Sequence, residues 1–573
     1  MKIFHANDKQ IARILHKSDI IYLVLHPTGG FVMAKSGLQD GAVYDAKTLG
    51  AGRVIVLGFQ HMFAMFGSTV LVPALTGLSV SATLLFAGLG TLLFHLISKR
   101  KVPAFLGSSF AFLAGYFAIA PNGERELLPY ACFGVAVAGL VYLILAALIK
   151  AFGVNRVLKF FPPIVTGPII IAIGLCLSGT AINSCSTNWS VAVVAILIIV
   201  ICNIWGKGMV RITPILLGVL GAYALCIILT ASAGQAVDGY YYFMGNPNMQ
   251  LFSVASIENI KNSAWIGSPF EFRDTALSIF TSGNINTSLL ITSVITIVPI
   301  SLATIVEHIG DISAISSTVG RNFIKDPGLH RTLIGDGLAT TLASLFGAPA
   351  NTTYGENTGV LTLSKVYDPL VVELAALFAM LFSVSPKLAA CISAIPTPVV
   401  GGISLVLYGM ISAVGVRNVV ENKIDFGKAR NVIIAAIILV LSIGIQYSAA
   451  QAIKIPVGKK TVEETVEYVD VEGTRYYLDA DGNVTVPYGL NISIEDNPVI
   501  TETTAKTEPL VTISLSGLAV GSLVGIILNA ILPGKDYNFE DNQKAAQAKD
   551  TTIQSEPVTR KPSNNPNKKK KKK

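Results

Sequence analysis

The segment PANTTYGENT, residues 349–358, repeats the pattern of an earlier segment, PAFLGSSFAF, residues 103–112. Each starts with a proline and continues through a glycine and several hydroxyl residues, although the surrounding chain is strongly apolar. Such residues interrupt helices, and backbone that leaves a helix inside a membrane must line a cavity or be buried in protein. Two interrupted segments at corresponding places therefore predict a duplicated membrane protein with a binding site where the repeats meet.

The composition agrees with a membrane location. Of the 573 residues, 52% are hydrophobic and 14% are charged, and the mean hydropathy is +0.60. Apolar stretches long enough to cross a bilayer recur along the chain. We predict an all-α polytopic membrane protein with fourteen spans, near 54–73, 80–97, 104–119, 131–150, 163–180, 190–205, 213–230, 289–308, 332–347, 350–364, 369–385, 396–413, 431–450 and 510–532.

The loops predict an orientation and a domain plan. Lys and Arg concentrate in alternate loops, which favours cytoplasmic N- and C-termini in the cell membrane. The acidic stretch between the last two predicted spans is then outside. The predicted parts are an N-terminal cytoplasmic extension (1–50), a first seven-span repeat (51–230), an outside linker (231–288), a second seven-span repeat (289–532) that contains a polar outside insert (455–508), and a cytoplasmic tail (533–573).

Acidic side chains in the second half point to a functional site. Glu356 lies in the interrupted segment, and Glu307 follows 18 residues without a charge, LLITSVITIVPISLATIV. On a helix, Asp311 lies one turn after Glu307, so the two acids are predicted to share and exchange a proton. An ionisable residue at membrane depth is costly and usually functional. The alternative is that the glycines only allow close helix packing and that Glu356 satisfies stray backbone donors.

Two histidines occupy matching places in the halves. GFQHMFAMFG contains Gln60 and His61 where TIVEHIGD contains Glu307 and His308. For both histidines, a hydrogen-bonded packing role and a direct role stay open. The six cysteines are scattered through apolar stretches without paired spacing, so neither a metal site nor a cofactor is expected.

Several motifs in order resemble one family of transporters. ENTGVLTLSK (356–365), PGLHRTLIGDGLAT (327–340), FQHMFAMFGSTVLVP (59–73) and GGISLVLYGMISAVGVR (401–417) are similar to blocks of the nucleobase-ascorbate transporter (nucleobase:cation symporter) family. Within that family they most resemble bacterial permeases for uracil. The resemblance covers roughly residues 50–450 and 510–532.

The resemblance implies a fold and an activity. The expected fold has two inverted seven-span repeats with short extended segments in spans 3 and 10. Spans 1–4 and 8–11 would form a core domain, and spans 5–7 and 12–14 would form a gate domain. The expected activity is proton-coupled uptake of uracil by alternating access, with uracil, protons and the lipid bilayer as the partners.

The resemblance also implies site residues. Glu307 and Glu356 would accept from the N–H groups of the substrate, and the backbone amides of Phe110 and Gly355 would donate to its carbonyls. Tyr354 would pack on the ring, and Tyr408 would approach from the gate. The residues implied in proton coupling are Glu307, Asp311, Glu356 and Asn357; some uracil permeases carry His where this chain has Asp311.

Other functions fit the sequence less well. A purine or xanthine permease is the nearest alternative, although purine-selective members tend to have Gln where this chain has Glu356. An anion carrier of the same design is disfavoured because Glu356 would repel an anion. The sequence lacks the motifs GxSxG and HExxH, so no enzyme activity is expected, and no nucleic acid is an expected partner. A homodimer is left open.

Overall fold

The computed structural model describes most of the chain between residues 42 and 534. The predicted cytoplasmic tail from residue 535 onward lies outside the described residues, as do parts of the N-terminal extension and of the insert. The described residues are 21–25, 31–35, 42–281, 283, 285–449, 452–457, 460–471, 474–477, 499–508 and 511–534.

The described part is mostly helical. Its α-helices, in chain order, are α1 (Ala51–Thr76), α2 (Val80–Ile97), α3 (Leu113–Ile119), α4 (Leu128–Phe152), α5 (Val154–Leu158), α6 (Pro163–Ser186), α7 (Trp189–Ile204), α8 (Met209–Ile212), α9 (Pro214–Ala233), α10 (Val254–Asn262), α11 (Thr287–Ile297), α12 (Ser301–Val319), α13 (Leu329–Leu345), α14 (Glu356–Ser364), α15 (Pro369–Ser383), α16 (Pro386–Ser393), α17 (Thr397–Glu421), α18 (Ala429–Gln446) and α19 (Gly517–Ile531).

Many of these helices are long and apolar enough to cross a membrane. Among the described residues there are eight such helices, or nine if α15 and α16, which are bent by 90° at a short break, count as one span. The other predicted spans coincide with α7, α13 and α19, which have 16, 17 and 15 residues, and with the two interrupted segments. The prediction of a helical, multi-pass membrane protein is confirmed.

Strands also occur, so the prediction of an all-α chain is corrected to a mostly helical one. The linker and the insert contain polar and β-branched residues that form small antiparallel sheets. The strands are β1 (Ile21–Leu25), β2 (Phe31–Lys35), β3 (Leu106–Ser108), β4 (Gly234–Val237), β5 (Tyr240–Phe243), β6 (Gln250–Ser253), β7 (Asn351–Thr353), β8 (Ala452–Val457), β9 (Lys460–Val471), β10 (Thr474–Tyr477), β11 (Val499–Glu508) and β12 (Val511–Ser516).

The two interrupted segments meet as a pair of short strands. Strands β3 and β7 are antiparallel, with Gly107 opposite Thr352. A further bond from the Ser109 N–H to the Ala350 carbonyl (2.8 Å) extends the pairing beyond the strands. All six strand residues are buried. The expectation of short extended backbone in both segments is confirmed, and each segment supplies partners that the other needs inside the membrane.

A break precedes the helix that carries the predicted acids. A short 3₁₀ turn at Val298–Ile300 contains Pro299 and separates α11 from α12. Proline has no N–H to donate, so it interrupts the helical ladder at this point. Helix α12 then runs unbroken to Gly320, whose φ of 72° ends it in the left-handed region. Glu307 and Asp311 therefore lie one turn apart, as predicted.

Glycines allow close helix crossings. A Cβ on Gly139 of α4 would lie 2.7 Å from the Gly337 carbonyl of α13. A Cβ on Gly415 of α17 would lie 2.7 Å from the Gly167 carbonyl of α6. Glycines at such crossings let backbones approach where lipid supplies no hydrophobic drive between helices. Pairs α4–α13 and α6–α17 are thereby fixed at close range.

Part of the predicted N-terminal extension is bound to the helices. Val43 bridges to Val366, and the Tyr44 hydroxyl donates to the Val319 carbonyl (2.8 Å). The Ala46 N–H donates to the Asp368 carboxylate (2.7 Å). Residues 42–50 therefore hold the end of α12 and the connection between α14 and α15 together.

The insert is joined to the helices by a two-stranded ribbon. Strand β8 follows α18 and pairs with β12, which continues directly into α19. Strand β12 also packs along α11. The three-stranded sheet β10–β9–β11 lies between β8 and β12 in the sequence. The ends of the insert are thus part of the helical body, whereas its middle forms a separate sheet.

Candidate substrate site

Tyr354 connects the two interrupted segments. Its N–H donates to the Phe105 carbonyl (3.2 Å), and its hydroxyl donates to the Ser108 carbonyl (2.5 Å). Its ring covers Gly107, where a Cβ would lie 2.5 Å from the ring. Tyr354, which is predicted to pack on the ring of the substrate, therefore packs on the backbone of β3. Its two hydrogen bonds fix the position of β3 relative to the second interrupted segment.

Phe110 and Tyr408 form the apolar side of the site. Phe110 follows β3, and Tyr408 lies on α17, far away in the sequence. Their ring centroids are 6.5 Å apart at an angle of 75°, and both residues are buried. This edge-to-face contact brings α17 against the first interrupted segment.

Asp311 contacts the second interrupted segment. The Thr353 hydroxyl donates to Oδ2 of Asp311 (3.2 Å). A Cβ on Gly355 would lie 3.0 Å from Oδ1 of the same carboxylate. The absence of a side chain at Gly355 therefore lets an acid of α12 approach the backbone between β7 and α14.

The two predicted substrate acids lie on α12 and at the start of α14. Glu307 is half-buried and close enough to Tyr142 of α4 for an electrostatic interaction. Glu356 is the first residue of α14, directly after Gly355. The side chain of Glu356 lies outside the part that the structure describes. The backbone places both residues beside the paired strands.

Asn357 pairs with one of the two histidines. Its side-chain oxygen lies 2.5 Å from Nδ1 of His61, and both residues are fully buried. The other nitrogens, Nε2 of His61 and Nδ2 of Asn357, have no hydrogen-bond partner among the described residues. The pair ties α1 to α14 next to Glu356. Sequence analysis selected each residue but not their contact, because 296 positions separate them.

The second histidine contacts an acid that sequence analysis missed. Nδ1 of His308 lies 3.1 Å from Oδ2 of Asp336 and 3.3 Å from the Thr353 hydroxyl. His308 and Asp336 are both fully buried. Asp336 is an isolated acid in the apolar part of α13, the same signal that selected Glu307, and it could have been found in that way.

The arrangement is suited to a small, polar, uncharged ligand. Carboxylates on α12 can accept N–H groups, backbone amides beside the strands can donate to carbonyls, and aromatic rings form the apolar side. Among the described residues, no group of three or more His, Cys, Asp or Glu side chains could hold a metal ion.

Comparison with known proteins identifies the family. The sequence model of a family described as "Permease family" matches residues 52–450. This chain belongs to that family, the nucleobase-ascorbate transporters. It is thus a transporter and not an enzyme.

Individual proteins show how far the similarity extends. A protein named uracil permease from Bacillus caldolyticus is 36% identical over 86% of this chain and 96% of its own length. Another uracil permease, from Bacillus subtilis (strain 168), is 37% identical over 68% of this chain and 85% of its own length. Among solved structures, the transmembrane domain of a cyanobacterium bicarbonate transporter BicA has 14% identity and a TM-score of 0.46, covering 71% of this chain and 98% of that chain. The sequence similarity to these relatives extends well beyond the short motifs that first indicated the family.

Proposed function

We propose that this protein is a uracil permease that couples uptake of uracil to protons across the cell membrane. The observation that carries the proposal is the meeting of β3 and β7 beside the acid-bearing helix α12. Relatives named uracil permease, similar over most of their lengths, support uracil as the substrate.

The chemistry of uracil matches this site. Uracil is planar and neutral, with two N–H donors and two carbonyl acceptors. Glu307 and Glu356 accept the N–H groups, and the amides of Phe110 and Gly355 donate to the carbonyls. Phe110 and Tyr408 supply the apolar wall. A site built to bond each polar group discriminates strongly, because a ligand that lacks one of them leaves a buried partner unpaired.

We assign transport to relative motion of two domains. The chain is taken as fourteen spans in two inverted seven-span repeats, with core spans 1–4 and 8–11 and gate spans 5–7 and 12–14. The glycine-mediated pairs α4–α13 and α6–α17 each lie within one of these domains. The contact between Phe110 and Tyr408 crosses from core to gate, so it must change as the site opens to either side.

Proton coupling is assigned to the acids of the core. Protonation of Glu307 or Asp311 lowers the cost of carrying the loaded site through the membrane. Asn357, held by His61, orients the start of α14 next to Glu356. In this proposal both termini are cytoplasmic, the insert is outside, and a homodimer is a further prediction.

Uptake into proteoliposomes tests the proposal. Vesicles containing the full chain should concentrate labelled uracil when a proton gradient is imposed, and a protonophore should abolish the accumulation. Excess unlabelled uracil should compete, whereas xanthine should not. Xanthine uptake without uracil uptake would contradict the substrate assignment, and accumulation driven by sodium instead would contradict the coupling ion.

A further inference from the structure

Strands β3 and β7 have an unpaired edge that needs other partners. Each strand has three residues and a single neighbouring strand. In an antiparallel pair, alternate residues direct their N–H and C=O groups away from the partner. Buried backbone groups without a partner cost free energy, above all where lipid replaces water. The first residue of each strand, Leu106 and Asn351, directs its backbone away from the other strand.

Two threonines supply these partners. The Thr91 hydroxyl accepts from the Leu106 N–H (2.9 Å) and donates to the carbonyl of the same residue (3.3 Å). The Thr340 hydroxyl donates to the Asn351 carbonyl (2.6 Å). Both threonines are 0% exposed. Each one is the twelfth residue of its helix, Thr91 in α2 and Thr340 in α13, and each bonds the first residue of a strand.

Other threonines on the same helices behave in the ordinary way. A buried threonine inside a helix usually bonds a carbonyl of its own preceding turn. Thr83 does so with the Ser79 carbonyl (2.7 Å), and Thr332 does so with the Leu329 carbonyl (3.0 Å). Thr91 and Thr340 instead reach across to a strand. A threonine at the same place in each of the two helices therefore bonds the backbone of a strand and not the backbone of its own helix.

We propose that Thr91 and Thr340 are positioning residues that fix the two strands and, through them, the substrate-binding amides. This inference rests on the proposed function, because it concerns the amides assigned to the substrate. Phe110 lies two residues after β3, and Gly355 lies two residues after β7. A shift of either strand moves the amide that follows it, and a binding site loses affinity when its donors move by a fraction of an ångström.

The two threonines differ in how many backbone groups they satisfy. Thr91 satisfies both the N–H and the C=O of Leu106, whereas Thr340 satisfies one carbonyl, which retains a second lone pair. Thr91→Val removes the hydroxyl while keeping the shape, and so does Thr340→Val. The first change therefore has the larger expected effect.

Uracil binding to purified full-length protein gives the first test. Thr91→Val should raise the Kd for uracil by about tenfold, and Thr340→Val should raise it by about threefold. Thr91→Ser and Thr340→Ser keep the hydroxyl and should restore binding. The matched controls Thr83→Val and Thr332→Val should bind as the unchanged protein does. An unchanged Kd in folded Thr91→Val, with only a lower melting temperature, would overturn the inference.

Hydrogen–deuterium exchange gives a second test that needs no ligand. In Thr91→Val, the amides of residues 105–110 should exchange faster than in the unchanged protein, and Thr83→Val should leave them protected. Unchanged exchange would overturn the inference whatever the substrate is. If Thr91→Val exchanges faster but the unchanged protein binds no uracil, the positioning role is supported and the proposed function is contradicted.

Discussion

The two interrupted segments have the same backbone arrangement but different side-chain chemistry. In the first, β3 is followed by Ser109 and Phe110, and residues 103–112 contain no ionisable side chain. In the second, β7 is followed by Tyr354, Gly355 and Glu356. The comparison indicates that the paired strands are a scaffold common to both segments, while an acidic residue occurs only in the second.

The histidines show the same divergence. His61 of α1 pairs with the amide of Asn357, whereas His308 of α12 lies beside the carboxylate of Asp336. An amide can orient its partner without carrying a net charge, while a carboxylate can also stabilise a protonated imidazole. The contact of His61 is therefore with a neutral group, whereas the contact of His308 is with an acid.

The largest effect is expected where the second segment and α12 carry acids. Glu356→Gln replaces a double acceptor by a mixed group, and Glu307→Ala removes an acceptor entirely. Either change should weaken uracil binding by about 100-fold or more, because a buried donor of the substrate then lacks a partner. Equilibrium binding to purified protein measures this.

The control for the acids must be exposed and away from the site. Glu373 of α15 would not serve as a control, because its carboxylate accepts from Arg100 (2.7 Å), which lies three residues after α2. Glu258 of α10 is exposed, and Glu258→Gln should bind uracil normally. Normal affinity in Glu356→Gln would show that the two segments do not differ in the way proposed.

A second prediction compares the glycines of the two segments. A Cβ on Gly107 would lie 2.5 Å from the Tyr354 ring and 2.7 Å from the Thr69 hydroxyl, both held in buried positions. A Cβ on Gly355 would meet Asp311 at 3.0 Å, the end of a side chain that can move. Gly107→Ala should therefore reduce uptake by about tenfold or more, and Gly355→Ala should have a smaller effect.

The glycine comparison needs a measure of folding as well as of transport. Uptake per folded molecule, with the folded fraction from size-exclusion chromatography, separates the two effects. Gly444→Ala is the control, since nothing lies within 4 Å of its Cβ position. Equal loss in Gly107→Ala and Gly355→Ala would contradict the closer packing inferred at β3.

A third prediction concerns the charge beside β7. Asp311→Asn keeps an oxygen that can accept from Thr353 but removes a titratable group, so uracil binding should change by less than about threefold. Proton-driven accumulation should fall and depend less on external pH, because one of the two coupled acids is lost. Concentrative uptake and uracil exchange, measured in the same vesicles, distinguish binding from coupling. Unchanged pH dependence in both assays would remove Asp311 from the mechanism.

The smallest effect is expected at the insert. Deleting residues 460–508 and joining the ends with a short Gly/Ser bridge keeps the β8–β12 ribbon, so uptake should stay within about twofold of normal. Extending the deletion to residues 452–516 removes strand β12, which packs along α11, and should impair uptake. Uptake assays together with surface labelling would check this. If the shorter deletion inserts correctly but loses uptake, the three-stranded sheet β10–β9–β11 is required for transport.

The sequence was sufficient for features that depend on local pattern. Apolar length predicted the long helices, and the proline, glycine and hydroxyl residues predicted two interrupted segments, which the family resemblance implied to be extended. Asp311 was selected because it lies one helical turn after Glu307, and Phe110, Tyr354 and Tyr408 were selected through the family resemblance. The structure brings these residues to the same region.

Features that depend on distant contacts could not be predicted in this way. Thr91 looks like any threonine in an apolar helix, and only its distance to Leu106 reveals its role. The His61–Asn357 contact likewise depends on how α1 and α14 cross. The hydrogen bond from the Ala46 N–H to Asp368 was missed because the extension has no motif of its own.

The pairing of β3 with β7 also constrains the order of biosynthesis. Tyr354 is made 246 residues after Ser108, to which it bonds. At a synthesis rate of about 5–20 residues per second, β3 waits on the order of 10–50 seconds for its partner strand. During that interval the backbone of Gly107 lacks the strand that it faces in the finished protein. The first half of the nascent chain therefore enters the membrane as an unfinished intermediate, which becomes complete only when the ribosome has passed residue 354.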